Sequence, residues 1–292
     1  MSRRALLMFL IAGTAWGMPY LFIKIAVEDF STWTIVFVRV VIGAAVLIPI
    51  AIKRDVWKPA LKAWPWVLAY AVLEMVVPWF LITEAERVIN SGLAGLLVAT
   101  VPFFGLLIGL LYQKDKTLMH PKTLIGLVVG FAGVILLVGI DALSGNTSLP
   151  HVFMVIAAAA LYAIAPVVVS TKIPNVSAVA VNGMAMAIVA VVYAIPAAFS
   201  LPKEIAAEPH IESWFALIAL GVICSSIAFV AFFALMKEIG NSRATLVTYM
   251  NMAVAVLLGI LILAEPITAG ILIGFPLVLI GSYFASRRHV KK

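Results

Sequence analysis

Charge is what this chain of 292 residues has least of: Asp, Glu, Lys and Arg together make up 11% of it, against 64% hydrophobic residues. That is too little polar surface to cover a soluble globule of this length. With a mean hydropathy of +1.17, the chain reads as an all-α integral membrane protein with the lipid bilayer as its surroundings. Cysteine is nearly absent as well. The single Cys224 lies in an apolar run and excludes an intrachain disulfide. Histidine is scarce, and His120, His151, His210 and His289 fall in loops or at helix ends, so no histidine relay crosses the membrane. No Cys/His cluster could hold zinc, and the HExxH, GxSxG and Walker patterns do not occur. No catalytic residue, metal or cofactor is therefore expected, and no ATP drive by the chain itself. The net charge of +7 suits nucleic acid only on a folded polar domain, and the chain has none. Neither a nucleic acid nor an obligatory protein partner is read from it.

What the chain does have is a series of apolar runs. They cover residues 5–27, 33–52, 64–84, 92–112, 122–140, 151–171, 177–198, 212–236, 244–264 and 269–286. Each is near the ~20 residues a helix needs to cross hydrocarbon, and none shows the alternation of a membrane β-barrel strand. Arg3 and Arg4 before the first run resemble a signal peptide, but that run continues to Val27, too long for a signal h-region. Placing the N-terminus inside puts Lys53, Arg54, Lys58, Lys62, Lys114, Lys116, Lys122, Lys172, Lys237, Arg243, Arg287, Arg288, Lys291 and Lys292 on the cytoplasmic side, leaving Arg87 and Lys203 outside. Both termini are thus expected in the cytoplasm. Trp57, Trp64 and Trp66 inside, with Trp33 and Trp214 outside, fit interfacial belts.

The passage from Ile89 onward occurs twice. Ile89, Ala94, Leu96, Gly109, Leu111 and Asp115 return 150 residues later as Ile239, Ala244, Leu246, Gly259, Leu261 and Glu265. Gly126 with Gly133 then returns as Gly274 with Gly281. A period near half the chain is too long for a solenoid and suits the paired halves of a transporter. Five spans per half is odd, so the second half must enter the membrane from the opposite side. The expected architecture is ten transmembrane helices as two inverted five-helix repeats, 1–143 and 150–288, around a central cavity.

Candidate cavity residues are polar, aromatic or helix-breaking positions within the runs. Pro19 and Pro166 sit near the middle of corresponding spans, and each removes a backbone hydrogen bond, marking a hinge or a cavity-lining bend. Pro78 and Pro102 add similar breaks. Glu74 lies near the centre of the third span and Arg39 about two turns from the outer end of the second, close enough in depth to pair. Such a pair serves either structure or substrate. Lys24 and Glu84, near outer helix ends, are accounted for by snorkelling. Trp16, Tyr20, Trp79, Tyr162, Asn182, Tyr249 and Asn251 complete the set. Each fits packing as well as substrate contact, and their gathering in proline-bent helices favours a site for a small amphipathic solute. Glycine pairs four residues apart, Gly13/Gly17, Gly105/Gly109, Gly126/Gly130 and Gly270/Gly274, are assigned to helix packing, with dimerisation a second use for the later three.

Thr14-Ala15-Trp16-Gly17-Met18-Pro19-Tyr20, Arg39, the stretch from Ala94 to Pro102, and Glu265-Pro266-Ile267-Thr268 followed by Gly274 and Gly281 resemble the drug/metabolite transporter superfamily. Within it, the chain is similar to the ten-helix EamA-type exporters, and most to the YddG amino-acid exporters. The first half departs from the pattern, with Asp115-Lys116 in place of Glu-Pro. The resemblance implies a multi-pass protein of the bacterial inner membrane that exports neutral and aromatic amino acids or analogues by alternating access. A proton-coupled multidrug antiporter using Glu74 is the alternative.

Overall fold

A computed structural model describes residues 2–111, 121–143, 148–240, 244 and 247–286, and among these every regular element is a helix. Lys114, Asp115, Lys116, His120, Arg243, Arg287, Arg288, His289, Lys291 and Lys292 lie outside that set. Seven helices are long and apolar enough to cross a membrane: α1 (Arg3–Ala26), α2 (Thr32–Lys53), α3 (Trp64–Ala85), α4 (Ser91–Gly109), α6 (Leu149–Lys172), α7 (Ala178–Ala206) and α8 (Ile211–Ile239). Shorter apolar stretches lie in α5 (Pro121–Leu143), α9 (Val247–Ile262) and α10 (Ala269–Ser286). A further short helix, Trp57–Lys62, stands where a loop was expected.

Local chemistry sets several boundaries. Ser2 and Ser31 cap α1 and α2, their hydroxyls accepting from Ala5 N–H (3.0 Å) and Thr34 N–H (3.4 Å). Pro19 has no N–H to continue the ladder, and α1 breaks at Met18 into Arg3–Gly17 and Pro19–Ala26. Pro102 acts the same way on α4, which ends its first segment at Val98 and resumes at Val101. Pro166 does not: α6 runs unbroken through it, and its ring is on the exposed side. The expected matching breaks at Pro19 and Pro166 are therefore not matched. Helix α7 also outruns its apolar stretch, continuing to Ala206. Tertiary contacts hold that extension, because Glu204 Oε1 accepts from Ser31 N–H (2.8 Å) and Leu201 packs on the core.

Helices of the first half pack chiefly on helices of the second: α5 on α10, α2 on α7, α1 on α8 and α9, α4 on α9 and α6, and α3 on α6. The α5–α10 contact is the closest. A Cβ added to Gly281 would fall 2.2 Å from Gly130 N, and one on Gly274 would fall 2.7 Å from Gly133 O. Only glycine allows backbones this near. These glycine faces meet inside one chain, so the dimer use considered for α5 and α10 is displaced.

Candidate functional site

Arg39 lies two turns into α2 and is buried, with 8% exposure. Its Nε–H donates to Ser225 Oγ (2.8 Å), and its guanidinium carbon sits 3.7 Å from the centroid of the Trp79 ring. The two partners come from α8 and α3, and in each helix a π-helical segment positions them. In α3 this is Val72–Val76, where Val77 N–H donates to Val72 O, five residues back. Pro78 explains it: without an N–H the proline cannot bond the Glu74 carbonyl, and the ladder widens instead. In α8 the segment is Leu220–Ile227, closed by Ala228 N–H on Ile223 O. No proline stands there. Ser226 Oγ–H donates to Gly221 O (2.9 Å), taking up a carbonyl in the loosened ladder.

A π turn takes in one extra residue, so residues before it are rotated against those after it by about 100°, one α-helical step. In α3 Glu74 lies inside the segment and Trp79 follows it. Trp79 meets Arg39, and Glu74 does not. The expected Arg39–Glu74 ion pair is absent: among the described residues the ion pairs are Arg87–Glu84 (3.3 Å) and His210–Asp29 (3.1 Å).

Arg39 still has donors in hand. Among the described residues, Nη1 and Nη2 have no hydrogen-bond partner. Tyr20 of α1, Tyr162 of α6, Cys224 of α8 and Glu86 lie within electrostatic range of the guanidinium, and Tyr162 also interacts with the Trp79 indole. A stacked, desolvated arginine of this kind gains ~2 kcal/mol from the ring. Its open planar fork matches a carboxylate.

A second polar group adjoins it. Tyr70 OH donates to Asn182 Oδ1 (3.0 Å), Asn182 Nδ2 donates to Ala178 O (2.9 Å), and Tyr193 OH donates to Val76 O (2.7 Å) within the π segment. Glu74, half-buried, is in electrostatic range of Tyr70 and Tyr162. Tyr162 therefore links the two groups.

Of the residues singled out by sequence, Tyr20, Arg39, Glu74, Trp79, Tyr162 and Asn182 are thus brought into one neighbourhood. Trp16 packs on Phe229 (5.3 Å, edge to face) and Phe232 (4.6 Å), an aromatic contact between α1 and α8. Asn251 presents its backbone carbonyl to Gly17 where α1 meets α9, and Tyr249 is half-buried on α9. Pro19 is buried at the α1 break.

Sequence reasoning missed Ser225, whose single hydroxyl in an apolar run carries no signal until Arg39 is beside it. It also misplaced Lys24, which does not snorkel. Its Nζ donates to the carbonyls of Glu86 (2.7 Å) and Ile89 (2.9 Å), completing the end of α3. Glu265 of the Glu-Pro-x-Thr motif caps α4: Oε1 accepts from Ser91 N–H (2.6 Å) and Oε2 from Gly92 N–H (3.0 Å). Gly259 and Gly92 leave room for that carboxylate, since a Cβ at Gly259 would fall 2.4 Å from Oε2.

The helix ends around Asp29 are tied together. Asp29 Oδ2, in the α1–α2 connection, accepts from Ser213 Oγ–H (2.6 Å) and His210 N–H (3.0 Å) at the start of α8. Those bonds, Ser213 first, hold the Asp29 carboxyl below its ordinary range, and Asp29 in turn raises the exposed His210 imidazole. Arg87 Nη2 donates to Phe30 O (2.7 Å), and Thr34 and Ser200 hydroxyls meet at 2.9 Å. A cavity of about 460 Å³ lies elsewhere, between α4, α5 and α6, lined by Phe103, Phe104, Phe131 and other apolar side chains with Thr100.

Comparison with known proteins bears on the fold and the family. A crystal structure superimposes with a TM-score of 0.63 over 98% of this chain and 97% of that one, at 21% identity, which speaks for the fold alone. The uncharacterized inner membrane transporter YedA of Escherichia coli K12 is 28% identical over 84% of this chain and 78% of its own. An uncharacterized transporter of Archaeoglobus fulgidus is 24% identical over 94% and 96%, and the uncharacterized transporter YoaV of Bacillus subtilis is 24% identical over 94% and 95%. The model of the EamA-like transporter family matches twice, over residues 3–139 and again over 149–287. This multi-pass membrane protein belongs to the EamA-like transporter family.

Proposed function

We propose that the chain exports neutral and aromatic amino acids or close analogues across the bacterial inner membrane, alternating access between two inverted five-helix repeats, with both termini cytoplasmic. The helix partners support the repeat. Exchanging each helix with the one five places along turns α3·α6 into α8·α1, α4·α6 into α9·α1, and α2·α8 into α7·α3, and all of these are contacts. The third helix of each half also carries the π segment.

The observation that carries the substrate reading is the open fork of Arg39. A zwitterion away from water needs a partner for each charge. The Nη1 and Nη2 donors receive the carboxylate in two parallel bonds, and Glu74 or the neighbouring tyrosine hydroxyls receive the ammonium group. Trp79, Tyr20 and Tyr162 offer faces to an apolar or aromatic side chain. Counterflow of labelled phenylalanine and alanine in proteoliposomes tests this: wild type exchanges both, and Arg39→Lys, which keeps the charge and loses the fork, exchanges them poorly. Parental rates in both Arg39→Ala and Glu74→Gln sink the assignment.

One feature favours the second reading, a proton-coupled drug antiporter. Among the described residues, Glu74 is a carboxyl without an ion pair on a span of the bundle. That reading expects a pH gradient to drive efflux of lipophilic cations, and Glu74→Gln to abolish it.

A further inference from the structure

Glu86, just past the end of α3, is fully buried, and neither carboxyl oxygen has a hydrogen-bond partner among the described residues. The charges around it do not satisfy it. From α1, the Lys24 ammonium group is spent on two backbone carbonyls and makes no ion pair with the side chain. Tyr20 of α1 and Arg39 of α2 are within electrostatic range only, and neither donates a hydrogen bond to the carboxyl. From the α9–α10 connection comes Glu265, a second acid, whose charge is stabilised by two amide N–H groups of α4. On its own element, Glu84 and Arg87 pair with each other.

An ionised carboxylate with no donor in such a place costs several kcal/mol, whereas the neutral acid costs far less. A buried acid without a hydrogen-bond donor, beside a second acid, is held in its protonated form. We propose that Glu86 is a proton-binding site, holding its proton in the packing seen here and releasing it to water when the second-half connection that carries Glu265 moves away from α4 and opens the pocket.

The site lies where the two halves meet through Glu265, so a change in their relative position alters its surroundings. A proton bound in one arrangement and lost in another couples flux to the proton gradient. That consequence rests on the transport reading; the proton site itself does not.

Infrared spectroscopy of the purified full chain in lipid tests the site directly. At pH 7 the wild type is expected to show a protonated-carboxyl C=O stretch that is missing from Glu86→Gln and retained in Glu265→Gln. A wild-type minus Glu86→Gln difference that contains carboxylate bands instead overturns the proposal. Glu86→Gln, an isostere of the neutral acid, and Glu86→Leu are both expected to fold, with melting temperatures no lower than wild type for the amide. Failure of both to fold also overturns it. In proteoliposomes, a pH gradient is expected to raise wild-type net flux, and the ratio of flux with to flux without the gradient is expected to fall to one in Glu86→Gln. A wild type indifferent to the gradient removes the coupling while leaving the infrared result to decide the site; a wild type that moves no amino acid at all refutes the substrate reading alone.

Discussion

The π segments of α3 and α8 occupy corresponding places in the two halves and reach the same backbone geometry by different means. In Val72–Val76 a proline imposes it, because Pro78 cannot donate to Glu74. In Leu220–Ile227 every residue has its N–H, and the widened ladder is accompanied by the Ser226 bond to Gly221 O and by close packing of Gly221 on Ile42 of α2. One break is written in the backbone chemistry of a single residue; the other depends on neighbours. Both serve one outcome, since Arg39 is held between Trp79, which follows the first segment, and Ser225, which lies in the second. A π turn is a stored register change, and two of them flank one side chain here.

The sharpest way to break the comparison is Pro78→Ala. Restoring the N–H removes a penalty of ~3 kcal/mol for proline in a helix interior. The variant is expected to melt higher, to convert Val72–Val76 to ordinary α-helix, and to transport more slowly. Unchanged flux means that the α3 segment is not a working part. Next in size, Arg39→Ala loses a charge-assisted bond and the ring contact, ~1.5–3 kcal/mol for the bond alone, and so lowers amino-acid counterflow about tenfold or more. Ser226→Ala sharpens the α8 side of the comparison: losing the hydroxyl bond to Gly221 O is expected to cost ~1 kcal/mol, read by thermal unfolding, whereas a proline-imposed segment has no such dependence on a side chain.

The smallest effect belongs outside both segments, at the Asp29–His210 contact. His210 is raised by Asp29, so what the protonated pair contributes is complete below the ordinary histidine range and fades as pH rises through the raised value. Asp29 is depressed by Ser213 and His210, so its contribution fades only as pH falls below the usual carboxylate range. The contact is therefore strongest between those limits. An NMR titration of the His210 ring is expected to show a lower midpoint in Asp29→Asn, with flux little changed.

Much of the architecture was legible from residues alone, and the reasons differ by residue. Pro19 and Pro102 broke their helices as expected because a missing N–H acts locally. Pro166 has the same defect, yet α6 absorbs it without interruption. The candidate site was half legible. Arg39 and Trp79 stood out as rare residues in apolar runs, but depth along a helix says nothing about azimuth, and the arginine meets a ring where a carboxylate had been expected. Glu86 escaped notice because it sits at a helix end, where charge is ordinarily wetted, and the fold buries it.

Composition determined that this chain lies in lipid, roughly where it crosses, and that its polar residues are too few to be idle, since hydrocarbon penalises each unpaired group according to its own chemistry. Its doubled pattern of glycines and acids likewise led to the proposal of two related halves. Which polar groups meet was decided only in three dimensions. Ser225 with Arg39 and Glu265 with the amides of α4 join positions far apart in the chain, Glu86 is left without a hydrogen-bond partner among the described residues, and only packing sets these distances.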